Sequence, residues 1–394
     1  MSSYRLPLQR LVTEVWSDDA TTHGPSQLKA VIHDAARIGW SWYSRFPANC
    51  FFTLRQSSTH NADIVAGLDH VRMYYVNDAV GYGPVLVFNG RIGDPSESGD
   101  DVVWTAWSYQ AELALSRTGY EVYYKSKQIA DVVTDEWSKD VGTGKFQKYG
   151  AKVRDHSLLK HITTGAIQNP KAENGTSEML TDPAFGVIDT PRLQLFFDLT
   201  EIGRANTTQN VTFRITRSTT PTFQFLRNAG SALTGQALIY PGVIKDFRYV
   251  PGVLDIRNDL ATIGTKKGKN VEMTAEQLTG TYGVNSFGRR QDTFSIKTLS
   301  GYPKLASDDR KSTAQSSITK RAVKEATQPT RALQVDVRPD LFLPFDGWEI
   351  EDTIPVAIKT GRTNLATTYR IVGVRGVMDG TGYHQTLFLT VPTA

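Results

Sequence analysis

Apolar and polar residues alternate over many short stretches of this 394-residue chain. A period of two is the mark of a half-buried strand. Toward the N-terminus the pattern predicts strands at Arg5–Trp16, Val71–Val76, Val85–Ile92 and Val102–Ser108, rich in Val, Tyr, Trp and Thr and bounded by Gly, Pro, Asn or Asp. Met73–Val76 and Pro84–Ile92 flank the polar, glycine-bearing stretch Asn77–Gly83, which reads as an antiparallel hairpin. One helix is expected among them, at Ser26–Ile38, with Ser26 as cap and Leu28, Val31, Ile32 and Ala35 at helical spacing.

The period then lengthens. Ser126 caps a run in which Ile129, Val132, Val133 and Trp137 make one stripe, and Gly142 stops it. Residues 143–189 are weakly patterned and read mostly as loop. Thr190-Pro191 opens a second helix, whose stripe is Leu193, Phe196, Phe197, Thr200 and Ile202 and whose stop is Gly203. Val211–Thr216 and Thr222–Leu226 alternate again and pair as strands. Beyond residue 236 strands are predicted at Ile244–Tyr249, Asp255–Ile263, Val271–Glu276 and Phe294–Thr298. A helix over Ser312–Thr327, closed by Pro329, interrupts them. Four more follow at Ala332–Val337, Thr353–Lys359, Thr368–Val377 and Gln385–Val391, the last two joined by the turn Met378–His384. The fold class is therefore mainly β with α+β character: a strand-rich segment 1–118, an α/β module 119–235, and a second strand-rich segment 236–394 that includes helix 312–327.

Composition narrows this picture. No uninterrupted apolar run exceeds four residues, as in Val85–Phe88, so no membrane-spanning helix and no signal peptide is expected. The single cysteine, Cys50, allows no internal disulfide and no cysteine-based zinc knuckle. Net charge is +4 but unevenly spread: residues 1–200 hold 19 basic and 23 acidic side chains, whereas Lys245–Arg331 holds 16 basic and 9 acidic. Aromatic residues are not interleaved with that basic stretch as a single-strand nucleic-acid groove requires, so it reads as a solvated or subunit-facing surface.

Candidate chemistry is thin. The best histidine cluster, Asp155-His156 with His161, has a spacing wrong for one helix face and reads as surface polarity in a loop. Cys50 sits beside Phe51 and Phe52 and reads as a small buried hydrophobe. Gly142–Lys145 fails the phosphate-loop pattern at Lys139 and Phe146, and Gly264–Lys269 reads as a hairpin tip. The carboxylate pairs Asp18-Asp19, Asp100-Asp101, Asp308-Asp309 and Glu349–Asp352 flank predicted elements, where caps and turns favour Asp. No catalytic residue, metal ligand or cofactor is assigned, and the chain is read as a non-enzyme that binds, assembles or encloses.

Four segments resemble the tail-hub proteins (minor tail or baseplate hub proteins) of long-tailed bacteriophages, of the kind infecting actinobacteria. They are Val85–Asp94 with Val102–Leu115; the helix at Ile129–Val141; Tyr282-Gly283 with Gly288-Arg289-Arg290, similar to a Tyr-Gly-x-Arg-Glu element but with longer spacing and Gln291 in place of Glu; and the C-terminal run of Arg331–Val337, Gly347–Ile354 and Tyr369–Ile371 with the 378–384 turn. The resemblance implies two tube-like antiparallel β-barrel domains per subunit, separated by the α/β module. It further implies a homotrimer in the virion tail tip that continues the hexameric tail tube, adapts it to the trimeric central fibre and surrounds the DNA channel. The implied partners are other copies of the chain, a distal tail or tube ring, the central fibre and DNA in transit, with no membrane binding. Arg289 and Arg290 are the candidate inter-subunit or tail contacts. A channel lining not dominated by Lys and Arg is expected, since a basic wall would stall DNA. Two other readings stand beside this one: a tail-tip cell-wall hydrolase, with its site in 143–235, and a receptor- or carbohydrate-binding tail protein using Trp40, Trp42 and Tyr43.

Overall fold

The computed structural model describes residues 9–33, 35–78, 81–118, 122–124, 127–140, 158–171, 185–187, 190–205, 209–250, 259–267, 270–277, 291–295, 332–361 and 363–392. The chain begins with β1 (Gln9–Asp18), β2 (Pro25–Ile32), β3 (Arg37–Tyr43), β4 (Asn49–Arg55), the single turn α1 (His60–Asp63), β5 (His70–Asn77), β6 (Tyr82–Ile92), β7 (Ser96–Ser98) and β8 (Asp101–Trp107). A 3-10 helix, Tyr109–Ala114, leads to β9 (Val122–Tyr124), α2 (Ile129–Asp140), β10 (Thr163–Ile167), β11 (Phe185–Val187), α3 (Arg192–Ala205), β12 (Thr212–Ile215) and β13 (Thr222–Leu226). Then come β14 (Leu238–Tyr240), β15 (Ile244–Val250), β16 (Asp259–Lys267), β17 (Asn270–Gln277), β18 (Gln291–Ser295), β19 (Ala332–Val337), β20 (Thr353–Lys359), β21 (Asn364–Asp379) and β22 (Gly382–Thr390).

Strands from both ends of the chain build one 14-stranded sheet in the order β15-β19-β22-β21-β3-β4-β8-β6-β5-β1-β2, with β20 beside β21, β14 beside β20 and β7 beside β8. The β-rich class expected from the alternation holds. The described strands do not close into two separate barrels, because β21 pairs antiparallel with β3 and fuses the outer segments. Aromatic side chains lie directly over that join. A Cβ on Gly376 would lie 2.4 Å from Trp40 Nε1 and from the Tyr383 hydroxyl, so only glycine fits there. One hydrophobic core lies under the whole sheet and joins the outer segments: Trp40 packs 5.4 Å from Phe345, and Tyr75 packs 4.7 Å from Tyr383.

The middle module has its own core. The predicted α2 stripe of Ile129, Val132, Val133 and Trp137 is fully buried, and Trp137 stacks 4.1 Å from Phe223 of β13. Helix α3 begins as expected but continues through Gly203 to Ala205, and it buries Leu195, Phe196 and Leu199. Strand β10, inside the segment read as loop, pairs parallel with β13.

The helix expected over Ser26–Ile38 is instead β2 and the start of β3. Pairing decides against it: β2 lies antiparallel to β1 with Thr13 opposite Ile32 and Val15 opposite Ala30, burying Ala30 and Ile32 while Leu28 stays 43% exposed. A helix would have hidden Leu28 with its stripe; the long-range ladder outweighs the local spacing. The 378–384 turn is a tight hairpin with Asp379 opposite Gly382. Helix 312–327 lies outside the described residues.

Candidate functional site

The sequence-level candidates for chemistry occupy structural positions. Asp19 accepts hydrogen bonds from the Thr21 and Thr22 amides, Asp101 pairs with Arg55 at 3.1 Å, and Asp352 accepts from the Ser231 and Glu349 amides. Cys50 is buried, and burial pushes its thiol well up, away from the thiolate. Trp40 and Trp42, candidates for sugar stacking, are 1% and 8% exposed in the shared core, where Trp42 donates to the Val87 carbonyl at 2.6 Å. Tyr43 lies 5.6 Å from Phe388. Among the described residues no group of three or more His, Cys, Asp or Glu side chains is arranged to hold a metal. Residues 142–145, Asp155, His156, Arg289, Arg290, Asp308 and Asp309 lie outside the described residues.

Two features of the sheet are built for contact. The path of the sheet ends in β2 and β15, which among the described strands pair on one side only, with β1 and β19 respectively, as do β14 and β7 off that path. On β2 the exposed stretch Gln27–Lys29 runs near the turn that carries Val65 and Leu68, exposed at 44% and 51%, and Lys29 reaches Asp69 at 2.8 Å. The second feature is the face opposite the core. On β19, β20 and β22 it carries Gln334, Asp336, Pro355, Ala357, Lys359, His384, Thr386, Phe388 and Thr390, a mixed polar and apolar surface, with Thr386 donating to Asp336 at 2.6 Å.

At the other end of the sheet that face is not wet: the 3-10 helix, whose Tyr109 and Leu113 join the middle core, and His161 of the middle module cover it. Arg91 of β6 donates to Glu112 of the 3-10 helix at 2.7 Å, to Asp18 at 3.1 Å, and to the Leu68 and His23 carbonyls. Burial disfavours the Arg91 charge, but Glu112 and Asp18 outweigh it and hold the guanidinium more firmly protonated than usual. Burial likewise opposes the Asp18 carboxylate, and hydrogen bonds from His70, His23 and Arg91 reverse the balance and keep it below its ordinary range. His161, read from sequence as surface polarity, is packed edge-on against Tyr109 at 4.6 Å, and both its ring nitrogens are buried. Periodicity alone missed this cluster; its one signal was Arg91 inside the predicted strand Val85–Ile92.

A second contact is the β12–β13 hairpin tip. Arg217 donates to the Leu86 carbonyl at 2.6 Å, forms a two-pronged pair with Glu349 at 3.0 and 3.2 Å, and lies 3.3 Å over the Phe345 ring. Asn89 and Arg72 donate to the Ser218 and Thr219 carbonyls. The tip therefore grips both outer segments at once. Nearby, Arg204 and Arg370 flank the buried Glu351 at 3.8 Å each, and Asn210 donates to it at 2.8 Å.

This architecture, an outer sheet drawn from both chain ends with a middle module clamped to it, is shared with several solved structures. Over 97% of this chain and 98% of the other, it matches the 43 kDa tail protein of prophage MuSo2 from Shewanella oneidensis, with a TM-score of 0.59 and 11% identity. It matches a tail protein from Neisseria meningitidis over 97% and 96% of the two chains, with a TM-score of 0.54 and 10% identity. It also matches the Francisella PdpA–VgrG complex over 98% of this chain and 58% of that one, with a TM-score of 0.55 and 8% identity. No family model matches the chain, and no curated protein matches it.

Proposed function

We propose that three copies of this chain form the hub of a phage tail tip. In this reading 1–118 and 236–394 are two tube-building lobes and 119–235 is the module between them, so three subunits present six lobes. They continue the sixfold tail tube, receive the trimeric central fibre on the other side, and leave a bore for DNA. The hub contacts a distal tail ring above and the fibre protein below, and Arg289 and Arg290 are assigned to such contacts. The protein is a structural part of the virion, without catalytic residues of its own.

The observation that carries this is the single sheet whose path, among the described strands, is open at both ends, within a fold shared along the full chain with tail proteins. Joining β2 of one copy to β15 of the next satisfies both edges and closes a ring, a head-to-tail contact whose rotation must close to avoid a filament. The mixed polar and apolar face of β19, β20 and β22 suits a bore that must hold water and let DNA slide. Native mass spectrometry, together with images of particles seeded on a neighbouring tail ring, tests the proposal. The expected species is about 131 kDa, three times the chain mass of 43.7 kDa, with a central bore. A chain that stays monomeric even on the seeding ring overturns it.

A further inference from the structure

A buried titratable cluster lies where the middle module meets the sheet, and ring closure makes no use of it. His161 belongs to the turn over residues 158–162 that leads into β10, a turn anchored in the middle core by Leu159 and Ile162. Its ring reaches across to the sheet side, 4.6 Å from Tyr109 and 5.7 Å from His70, and its Cβ lies 2.7 Å from where a side chain on Gly24 would begin. The groups facing this ring pair come from every element around it: Asp18 at the end of β1, His23 after it, Asp69 and Arg72 flanking His70, Arg91 on β6, and Tyr109 and Glu112 on the 3-10 helix.

The hydrogen bonds here suit neutral imidazoles. His70 Nε2 lies 3.0 Å from Asp18 Oδ1 and His70 Nδ1 lies 2.9 Å from the Tyr109 hydroxyl. With Nε2–H donating to the carboxylate and Nδ1 accepting from the phenol, both nitrogens are used. A second proton on His70 would sit on Nδ1 and displace the Tyr109 hydrogen, and the positive ring would be opposed by Arg91, which already donates to the same Asp18 oxygen, against the pull of Asp18 and Asp69. Among the described residues neither nitrogen of His161 has a hydrogen-bond partner of good geometry, and only the Asp18 carboxylate and the Leu158 backbone favour its charge. An imidazolium there would carry two donors into a site built from rings.

We propose that this seam is an acid-labile joint, in which protonation of His70 and His161 lifts the 158–162 turn off the sheet while both hydrophobic cores stay folded. Burial, reinforced by Arg91, depresses His70 from 6.5 to about 4; burial and His70 depress His161 to about 3. A base whose pKa falls on folding supports the closed seam fully above its unfolded value. That support drains away as pH falls from about 6.5 toward the folded values.

Hydrogen exchange read by mass spectrometry on the full chain, with rates corrected for intrinsic pH dependence, tests the joint between pH 7 and 4. The expected result is a loss of protection of about tenfold or more in residues 109–114 and 158–167 while β19–β22 remain protected, since one pKa unit corresponds to a factor of ten. His161→Leu, which cannot titrate, is expected to remove most of that response, and His70→Gln to reduce it even if His161→Leu does not fold. The joint is overturned if protection in 158–167 is flat with pH, if it falls only together with β19–β22, or if the folded variants keep the full acid response.

Discussion

Arg217 shows how a single side chain can hold three distant parts of a chain together. It comes from the middle module, hydrogen-bonds to β6 and pairs with Glu349, so its removal leaves the Leu86 carbonyl and the Phe345 face uncovered. Arg217→Ala is expected to cost about 2 kcal/mol, below the range for a fully buried pair because Glu349 is 48% exposed, seen as a lower urea midpoint at unchanged slope. Arg217→Lys is expected to recover little, since a lysine offers neither the flat fork nor the stacking surface. Gly376→Ala, which drives a methyl into Trp40 and Tyr383, belongs at the upper end of the about 1–3 kcal/mol cost of overpacking, measured the same way. His70 adds a pH term: its depressed pKa is expected to remove roughly 2 kcal/mol of folding stability between pH 7 and pH 5, which urea titrations at the two pH values and in His70→Gln would reveal.

At the scale of elements, the two faces of a strand carry different risks. Leu387 of β22 is fully buried in the shared core, so Leu387→Ala is expected to cost about 2–5 kcal/mol; Lys359 on the open face of β20 should tolerate alanine within about 0.5 kcal/mol. Edge strands separate folding from assembly. Leu28→Lys on β2 changes an exposed side chain, so thermal melting should stay within a few degrees of wild type while ring formation on the seeding ring falls sharply. Much of this element map was legible in advance. Thr222–Leu226, Ala332–Val337 and Thr353–Lys359 lie where alternation put them, and α2 buries the stripe its spacing marked. The 26–38 segment was misread because Leu28, Val31, Ile32 and Ala35 satisfy a helical period by chance, whereas β1 offers a full ladder of partners.

For the whole molecule, the main path of the sheet ends in two unlike strands, β2 and β15, each paired on one side only among the described strands. A chain altered only in β2 still offers β15, so in the proposed ring it can accept one neighbour and no second. Mixing Leu28→Lys chains with wild type is therefore expected to poison ring formation in more than proportion to their fraction, yielding open assemblies that lack one joint in place of closed rings. Proportional loss would mean that the ring does not close through β2.

Which residues turn inward was settled largely by the sequence: period two in β19, β20 and β22, period 3.6 in α2, and the turns that end them, because burial on one face of a regular element leaves a local trace. Which elements meet was settled only in three dimensions. The β3–β21 join links residues more than 300 positions apart, and the polar seam brings Asp18, His70, Arg91, Glu112 and His161 together from five separate segments. Such meetings are fixed by the competition of whole surfaces for partners, and no single stretch of sequence records its outcome.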